Sequence, residues 1–252
     1  MNASSDTIIL IPARLAATRL PNKPLADLHG EPMIVHVWRR AMEARLGRVV
    51  VAAGDREIVE AIEAVGGEAV LTPADLASGT DRIYAALQLI DPEGSHQMIV
   101  NVQGDLPTLD PRLIRQACDA LGEADMSTLV AEISEPSECD NPNVVKAVLA
   151  APTHDSGAYR RALYFSRANV PTGSAPRYHH IGLYVYSRAA LDRFVALSPS
   201  PLEKSEKLEQ LRALEDGFVI HAAIADTVPL GVDAAEDLEK AREMLASSSR
   251  GL

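Results

Sequence analysis

Four short apolar runs, "TIILI" (7–11), "RVVVAA" (48–53), "EAVLT" (68–72) and "QMIVNV" (97–102), recur through the first hundred residues, and a stretch with helical spacing follows each. Runs this short and this uniformly apolar read as strands buried on both faces. Among the intervening stretches, "PMIVHVWRRAMEA" sets Ile34, Val37, Trp38 and Ala41 at helical spacing. "DREIVEAIEAVGG" does the same with Ile58, Ile62 and Val65, then stops at a glycine pair. "TDRIYAALQLI" and "DPRLIRQACDALGE" continue the alternation. Strands separated by helices of this length predict βαβ units and a mostly parallel sheet between helical layers, a three-layer α/β fold.

Near residue 126 the pattern changes. "MSTLVAEI", "NVVKAVLA", "RALYFSR" and "HHIGLYVYS" are strand-like with few helices between them, which predicts a smaller mixed or antiparallel lobe over about 126–188 within one α/β domain of 252 residues. "APTHDSGAYR" reads as a hairpin connection and "RANVPTGSAPRYH" as a longer loop. Helical pattern returns in "RAALDRFVAL" and along "SPLEKSEKLEQLRALEDG"; a strand, "FVIHAAIA", and a helix, "AAEDLEKAREMLA", follow.

Charge narrows the function classes. The chain has 24 Lys and Arg against 35 Asp and Glu, a net charge of −11, so nucleic acid and anionic membrane are poor partners at long range. An anion that binds here needs a local cluster of cations. The two cysteines, Cys118 and Cys139, form no CxxC pair and have no matching His spacing, which argues against a disulfide scaffold or a zinc site and fits a reducing cytosol. "MNASSDTIILIPAR" lacks the basic and long apolar regions of a signal peptide, and no apolar run approaches a membrane span. The expectation is a cytoplasmic protein.

The local cluster lies directly after the first apolar run. No Asp or Glu occurs from Thr7 to Ala26, yet Arg14, Arg19 and Lys23 do, spaced by Pro12, Pro21 and Pro24, which limit backbone freedom. In an open α/β sheet, ligands collect at the carboxyl ends of the strands, which is where this loop falls. Guanidinium groups grip phosphate oxygens in pairs and an ammonium acts as a point charge, so three such cations suit a polyphosphate. The same residues also suit a solvated surface loop. Neither GxxxxGK[ST] nor GxGxxG occurs, so the P-loop and dinucleotide readings lose their main support.

"IPARLAATRLPNKPL" resembles the P-A-R-x-x-S-x-R-x-x-x-K signature of the CMP-sugar-acid synthetases. The likeness extends through "PMIVHV", "SGTDR", "VNVQGD", "NPNVVKAV", "ALYFSRANVP", "HHIGLY", "SPLEKSEKLEQLR" and "GVDAAEDLEKA", in order and over nearly the whole chain. Within that family it is most similar to the branch acting on 3-deoxy-manno-octulosonate (Kdo). The resemblance implies a nucleotidyltransferase-type fold in a cytosolic homodimer. It implies a Mg²⁺-dependent reaction of CTP with Kdo that gives CMP-Kdo and pyrophosphate for lipopolysaccharide synthesis. Carried over by motif, Pro12, Ala13, Arg14, Arg19 and Lys23 face the triphosphate, while Ser78, Gly79 and Arg82 lie toward the nucleotide base. Asp105 and Asp233 hold the metal and, with Arg14 and Lys23, carry the catalysis. Gln103, Arg167, His180, Tyr184, Glu209 and Gln210 form the sugar-acid side.

Several of these residues have plainer readings. "DAAE" is a capping box, with Asp233 as N-cap and Glu236 at the third helical position. Asp105 in "GDLP" suits a turn, and Ser78 and Asp81 in "SGTD" suit a helix start. His180 beside an apolar run suits a satisfied core histidine, Arg167 a surface ion pair, and Glu209 the solvated face of a charged helix. Two departures from the pattern bear on chemistry. Ala17 stands where the family carries Ser, and Leu106 stands where it commonly reads Glu in Q-G-D-E-P. One lost hydrogen bond is worth about 0.5–1.5 kcal/mol, which weakens nucleotide binding without abolishing it. A synthetase for an amino-substituted Kdo or a nonulosonate, and a nucleotide-binding protein without catalysis, stay open as alternatives.

Overall fold

Each apolar run of the first hundred residues becomes a strand in the computed structural model, which describes residues 6–16, 20–152 and 159–248. The chain forms two compact units, one made of the residues up to 114 with those from 229 onward, the other of residues 115–228.

In the first unit, β1 (Thr7–Ala13) leads into a 3-10 turn (Lys23–Leu25), a small antiparallel pair β2 (Asp27–Leu28) and β3 (Glu31–Pro32), and α1 (Met33–Glu43). Then come β4 (Arg48–Ala53), α2 (Arg56–Glu63), β5 (Glu68–Leu71), α3 (Gly79–Ile90) and β6 (Met98–Asn101). Their strands lie in the order β5-β4-β1-β6, all parallel, with Ala13 level with Ala53 and Leu10 with Asn101. Ile8, Ile9, Leu10 and Ile11 are fully buried, as a strand covered on both faces requires, and each such side chain contributes about 1.5–3 kcal/mol. The glycine pair ends α2 as the sequence predicts: Gly66 adopts φ 77°, and the Gly66 and Gly67 N–H groups donate to Glu63 O and Ile62 O, each at 2.9 Å. At the start of α3, Ser78 Oγ accepts from Asp81 N–H at 3.0 Å, so "SGTD" is the helix start expected.

α4 (Pro111–Leu121) carries the chain into the second unit, which holds β7 (Met126–Glu132), α5 (Pro136–Cys139), β8 (Lys146–Leu149), β9 (Tyr159–Ser166), β10 (Tyr178–Ser187), α6 (Arg188–Ala196), α7 (Pro201–Glu206), α8 (Gln210–Glu215) and β11 (Ile220–Ala225). β7 pairs antiparallel with β10 and parallel with β11, while β9 pairs antiparallel with β11 and β8. β8 also pairs with β10, so the five pairings return on themselves. The pattern is mixed as the sequence predicts, but its one parallel pairing comes from β11, outside the predicted 126–188, and the unit spans residues 115–228. The hairpin expected in "APTHDSGAYR" falls largely on residues 153–158, outside the described residues.

The charged stretch 200–217 is a correction: it forms two short helices rather than one. Ser200 and Glu203 make a reciprocal capping box that starts α7, and Lys207 then turns into the left-handed region at φ 56°. Arg212 of α8 folds back to Glu203 with a 2.8 Å bond from Nε to Oε2, bracing the corner. A pattern read for one continuous helix cannot register a single residue that leaves helical geometry.

After β11 the chain re-enters the first unit as α9 (Ala235–Ser248). Leu238 and Ala241 of α9 pack with Val232, Leu28 and Met33 in one apolar cluster. Here too the structure shifts an expectation. Asp237, not Glu236, reaches back to the chain ahead of the helix, accepting from Asp233 N–H at 3.2 Å and Ala234 N–H at 3.1 Å. The capping carboxylate therefore sits one position later than "DAAE" suggests, and Asp233 lies ahead of the cap.

Candidate active site

The carboxyl ends of β1 and β6, the start of α3 and the approach to α9 border a cavity of about 450 Å³ in the first unit. Pro12, Ala13, Arg14 and Lys23 line it from the basic loop, and Ser78, Gly79 and Arg82 from the start of α3. Gln103 and Asp105 come from the segment after β6, and Asp233 from just before α9.

Two backbone features bring these groups together. Gly104 approaches β1 so closely that a Cβ there would lie 2.6 Å from Pro12 O, which only glycine permits. Val232 N–H donates to Asp105 O at 2.9 Å, which places Asp233 beside Asp105 although 128 residues separate them in sequence (233 − 105). The 3-10 turn that follows Asn22 (φ 57°) begins with Lys23 and Pro24 and aims the lysine inward.

Lys23 Nζ donates to Asp105 Oδ2 at 2.9 Å and to Asp233 Oδ1 at 3.1 Å. Only 17 % of the lysine side chain is exposed, against 32 % and 50 % for the two aspartates. Burial pulls the Lys23 pKa down, but the charges and hydrogen bonds of Asp105 and then Asp233 outweigh it and hold the ammonium above its ordinary value. Two carboxylates from distant segments thus converge on one positive point. That donor set suits Mg²⁺, a hard cation that takes one or two carboxylates and fills its remaining positions with water and phosphate oxygens. Among the described residues no group of three His, Cys, Asp or Glu side chains could hold a metal ion.

The other cations differ in how they are held. Arg14 is exposed at the cavity and has no hydrogen-bond or ion-pair partner among the described residues. Arg19 and the Ala17 departure lie outside the described residues. Arg82 is 2 % exposed, and its guanidinium donates to Thr72 Oγ1 at 2.7 Å, Pro73 O at 2.9 Å and Ala74 O at 3.2 Å. It clasps the loop between β5 and α3. Burial, and then Arg14, lower its pKa, while Asp55 and Asp75 work the other way. Leu106 is a buried apolar residue at 7 % exposure.

Of the sugar-acid candidates, Gln103 belongs to the first unit and the other five to the second. Gln103 Nε2 donates to Asn101 Oδ1 at 3.2 Å. His180 is buried, with Nε2 3.0 Å from Thr128 Oγ1, and burial pushes its pKa down to about 3. Its surroundings are those of a satisfied core histidine. The Tyr184 ring lies 5.5 Å from it, and burial, then Tyr186 and Glu209, hold that phenol well above its ordinary value. Glu209 is half-buried, with its Oε1 out of solvent 3.7 Å from Arg212 Nη2. Gln210 is 5 % exposed, and its Nε2 has no hydrogen-bond partner among the described residues. Among the described residues Arg167 does not pair through its guanidinium with a surface acid; it donates to the carbonyls of Glu206 and Pro142, each at 2.9 Å.

Sequence reading missed the residues that brace this side. Glu206 accepts from Ser166 Oγ at 2.7 Å and from Arg167 N–H at 3.0 Å. Burial opposes ionisation of Glu206, but these bonds prevail and lower its pKa. Lys146, fully buried, donates to the carbonyls of Asn141, Val144 and Arg167 at 2.9, 2.6 and 2.9 Å. A lysine at the head of an apolar strand was the available signal, since burying an ammonium requires a full set of acceptors.

A family model described as Cytidylyltransferase matches residues 8–224. A 3-deoxy-manno-octulosonate cytidylyltransferase of Parvibaculum lavamentivorans is 62 % identical over 244 residues, 96 % of this chain and 93 % of that protein. Its counterpart in Rhodospirillum rubrum is 59 % identical over 246 residues, 96 % and 97 % of the two chains. The solved structure of a CMP:2-keto-3-deoxy-manno-octonic acid synthetase complexed with CTP superposes with a TM-score of 0.88 at 34 % identity, covering 96 % of this chain and 99 % of that one. A nucleotidyl transferase from Methanothermobacter shares the fold at a TM-score of 0.61 and 14 % identity, over 96 % and 98 % of the two chains.

Proposed function

The chain belongs to the cytidylyltransferase family, and from that premise we propose that it transfers the cytidylyl group of CTP to Kdo, giving CMP-Kdo and pyrophosphate. The observation that carries this reading is the convergence of Lys23, Asp105 and Asp233 in the cavity that the basic loop borders.

Arg14, Arg19 and Lys23 hold the triphosphate by charge and hydrogen bonding. The start of α3, with Ser78 and Gly79, lies toward the base, and Arg82 fixes the loop before it. The anomeric hydroxyl of the sugar acid attacks the α-phosphorus; its oxygen–phosphorus bond forms as the bond to the pyrophosphate oxygen breaks, and the hydroxyl proton departs. The protein's work here is positioning and charge neutralisation, the two contributions that dominate phosphoryl-type transfer. Asp105 and Asp233 would hold Mg²⁺, which when bound offsets charge on the leaving group and lowers the pKa of the attacking hydroxyl. Lys23 keeps those carboxylates together and presents its ammonium to the phosphates. The sugar-acid roles of Gln103 in the first unit, and of Arg167, His180, Tyr184, Glu209 and Gln210 in the second, rest on family likeness. A cytosolic homodimer serving lipopolysaccharide synthesis belongs to the same proposal and rests on family likeness.

A panel of Kdo, an amino-substituted Kdo and a nonulosonate, each with CTP and Mg²⁺ and scored by pyrophosphate release, tests the reading. Kdo is expected to give the highest kcat/KM, and chelation of the metal to stop release. Equal or better turnover of another sugar acid would reassign the substrate, and CTP binding without release would leave a nucleotide-binding protein.

A further inference from the structure

Asp55 stands at the corner between β4 and α2, in the position from which an aspartate ordinarily caps a helix. Its side chain makes no cap hydrogen bond. Instead Oδ2 accepts from Leu15 N–H at 2.7 Å, 40 residues earlier in the chain. Leu15 is the pivot of the basic loop: its neighbours Arg14 and Ala16 line the cavity, and its own carbonyl accepts from Asn22 N–H at 3.3 Å, next to Lys23. One carboxylate therefore fixes the residue at which the cation-bearing loop closes.

Gly54, immediately before it, completes the anchor. Its N–H donates to Ala13 O at 2.8 Å. A Cβ at Gly54 would stand 2.8 Å from Arg82 Nη1 and 3.1 Å from Arg14 Cβ, so glycine here lets both arginines pass close to the same corner. Asp55 adds a negative charge at this corner and is among the groups acting on Arg82. A charged acceptor at this distance makes a stronger, more directional bond than a neutral one.

We propose that Asp55 is a positioning residue for the nucleotide: by holding Leu15 N–H it sets the basic loop, and with it Arg14 and Lys23, in the arrangement that receives the triphosphate. This rests on the reading of the cavity as the CTP site. Displacement of a positioning group by an ångström costs far more in binding and rate than in folding, so the effect falls on CTP rather than on the sugar acid.

The test compares Asp55→Ala, which removes the acceptor, with Asp55→Asn, which keeps an oxygen there but not the charge. Asp55→Ala is expected to lower kcat/KM for CTP by about 10- to 100-fold, chiefly through KM, with KM for the sugar acid within about twofold of wild type. Asp55→Asn is expected to recover most of that loss. Exchange of the Leu15 amide hydrogen, which needs no substrate, is expected to speed up in Asp55→Ala and stay protected in Asp55→Asn. A protected Leu15 amide in Asp55→Ala, wild-type KM for CTP in that variant, or equal impairment of the two variants would each overturn the proposal. If wild type itself releases no pyrophosphate, the reaction assigned to the cavity fails while the exchange result still decides the role of Asp55.

Discussion

Lys23 is the residue on which the site turns, and its effect on catalysis separates from its effect on stability. It bridges two partly exposed carboxylates that stay hydrated without it, and ion pairs of that kind contribute about 0–1 kcal/mol. Lys23→Ala is expected to lower turnover with CTP by at least about 100-fold while the thermal unfolding midpoint moves by no more than that energy implies, about 2–4 °C for a chain of this length. Near-normal turnover in that variant would contradict the assignment. His180 makes a prediction of the opposite kind. Its folded pKa of about 3 lies below the ordinary value of 6.5, so from pH 6.5 down to 3 the unfolded chain binds a proton that the folded chain refuses. Stability therefore falls as pH drops through that window, with a slope of about 1.4 kcal/mol per unit. His180→Gln removes this contribution, and its unfolding free energy should lose about 2 kcal/mol less than wild type between pH 7 and 5, measured by urea denaturation. The histidine and its apolar neighbours were visible in the sequence. Its hydrogen bond with Thr128, 52 residues away in sequence, was not.

At the scale of elements, the strand and helix periods were legible because burial imposes them directly. "RVVVAA" and the β4 strand share the same bounds, and Ile58 and Ile62 are fully buried on α2. What pattern could not supply were single-residue geometries: Lys207 in the left-handed region, Asp237 in place of Glu236 at the α9 start, and Gly104 against β1. The last gives an element-scale prediction. In Gly104→Ala the new methyl meets a strand carbonyl rather than a movable side chain, so the ends of β1 and β6 must separate. Overpacking of this kind costs about 1–3 kcal/mol. Because Asp105 follows directly and Lys23 grips it, CTP turnover should fall more than tenfold, a combined loss that melting and kinetics can check together. Retention of both stability and rate would mean that the close approach does not set the site.

At the scale of the whole molecule, a chain with a net charge of −11 gathers three cations on one loop without acids, and the two carboxylates that meet Lys23 arrive from segments far apart in sequence. The basic loop was evident from charge alone. The pairing of Asp105 with Asp233 was not, because it depends on a backbone bond from Val232 to Asp105 and on α9 packing against the cluster around Leu28 and Met33. Among the described residues no helix is long and apolar enough to cross a membrane. The central claim, that these groups form one site for cytidylyl transfer, is tested most directly by titrating Mg²⁺ into the purified chain with CTP and Kdo while following pyrophosphate. Asp105→Asn and Asp233→Asn are run alongside wild type. Saturable, metal-dependent release by wild type, reduced at least about 100-fold in both variants, is the predicted result. Undiminished release by either variant, or release that ignores the metal, would contradict it.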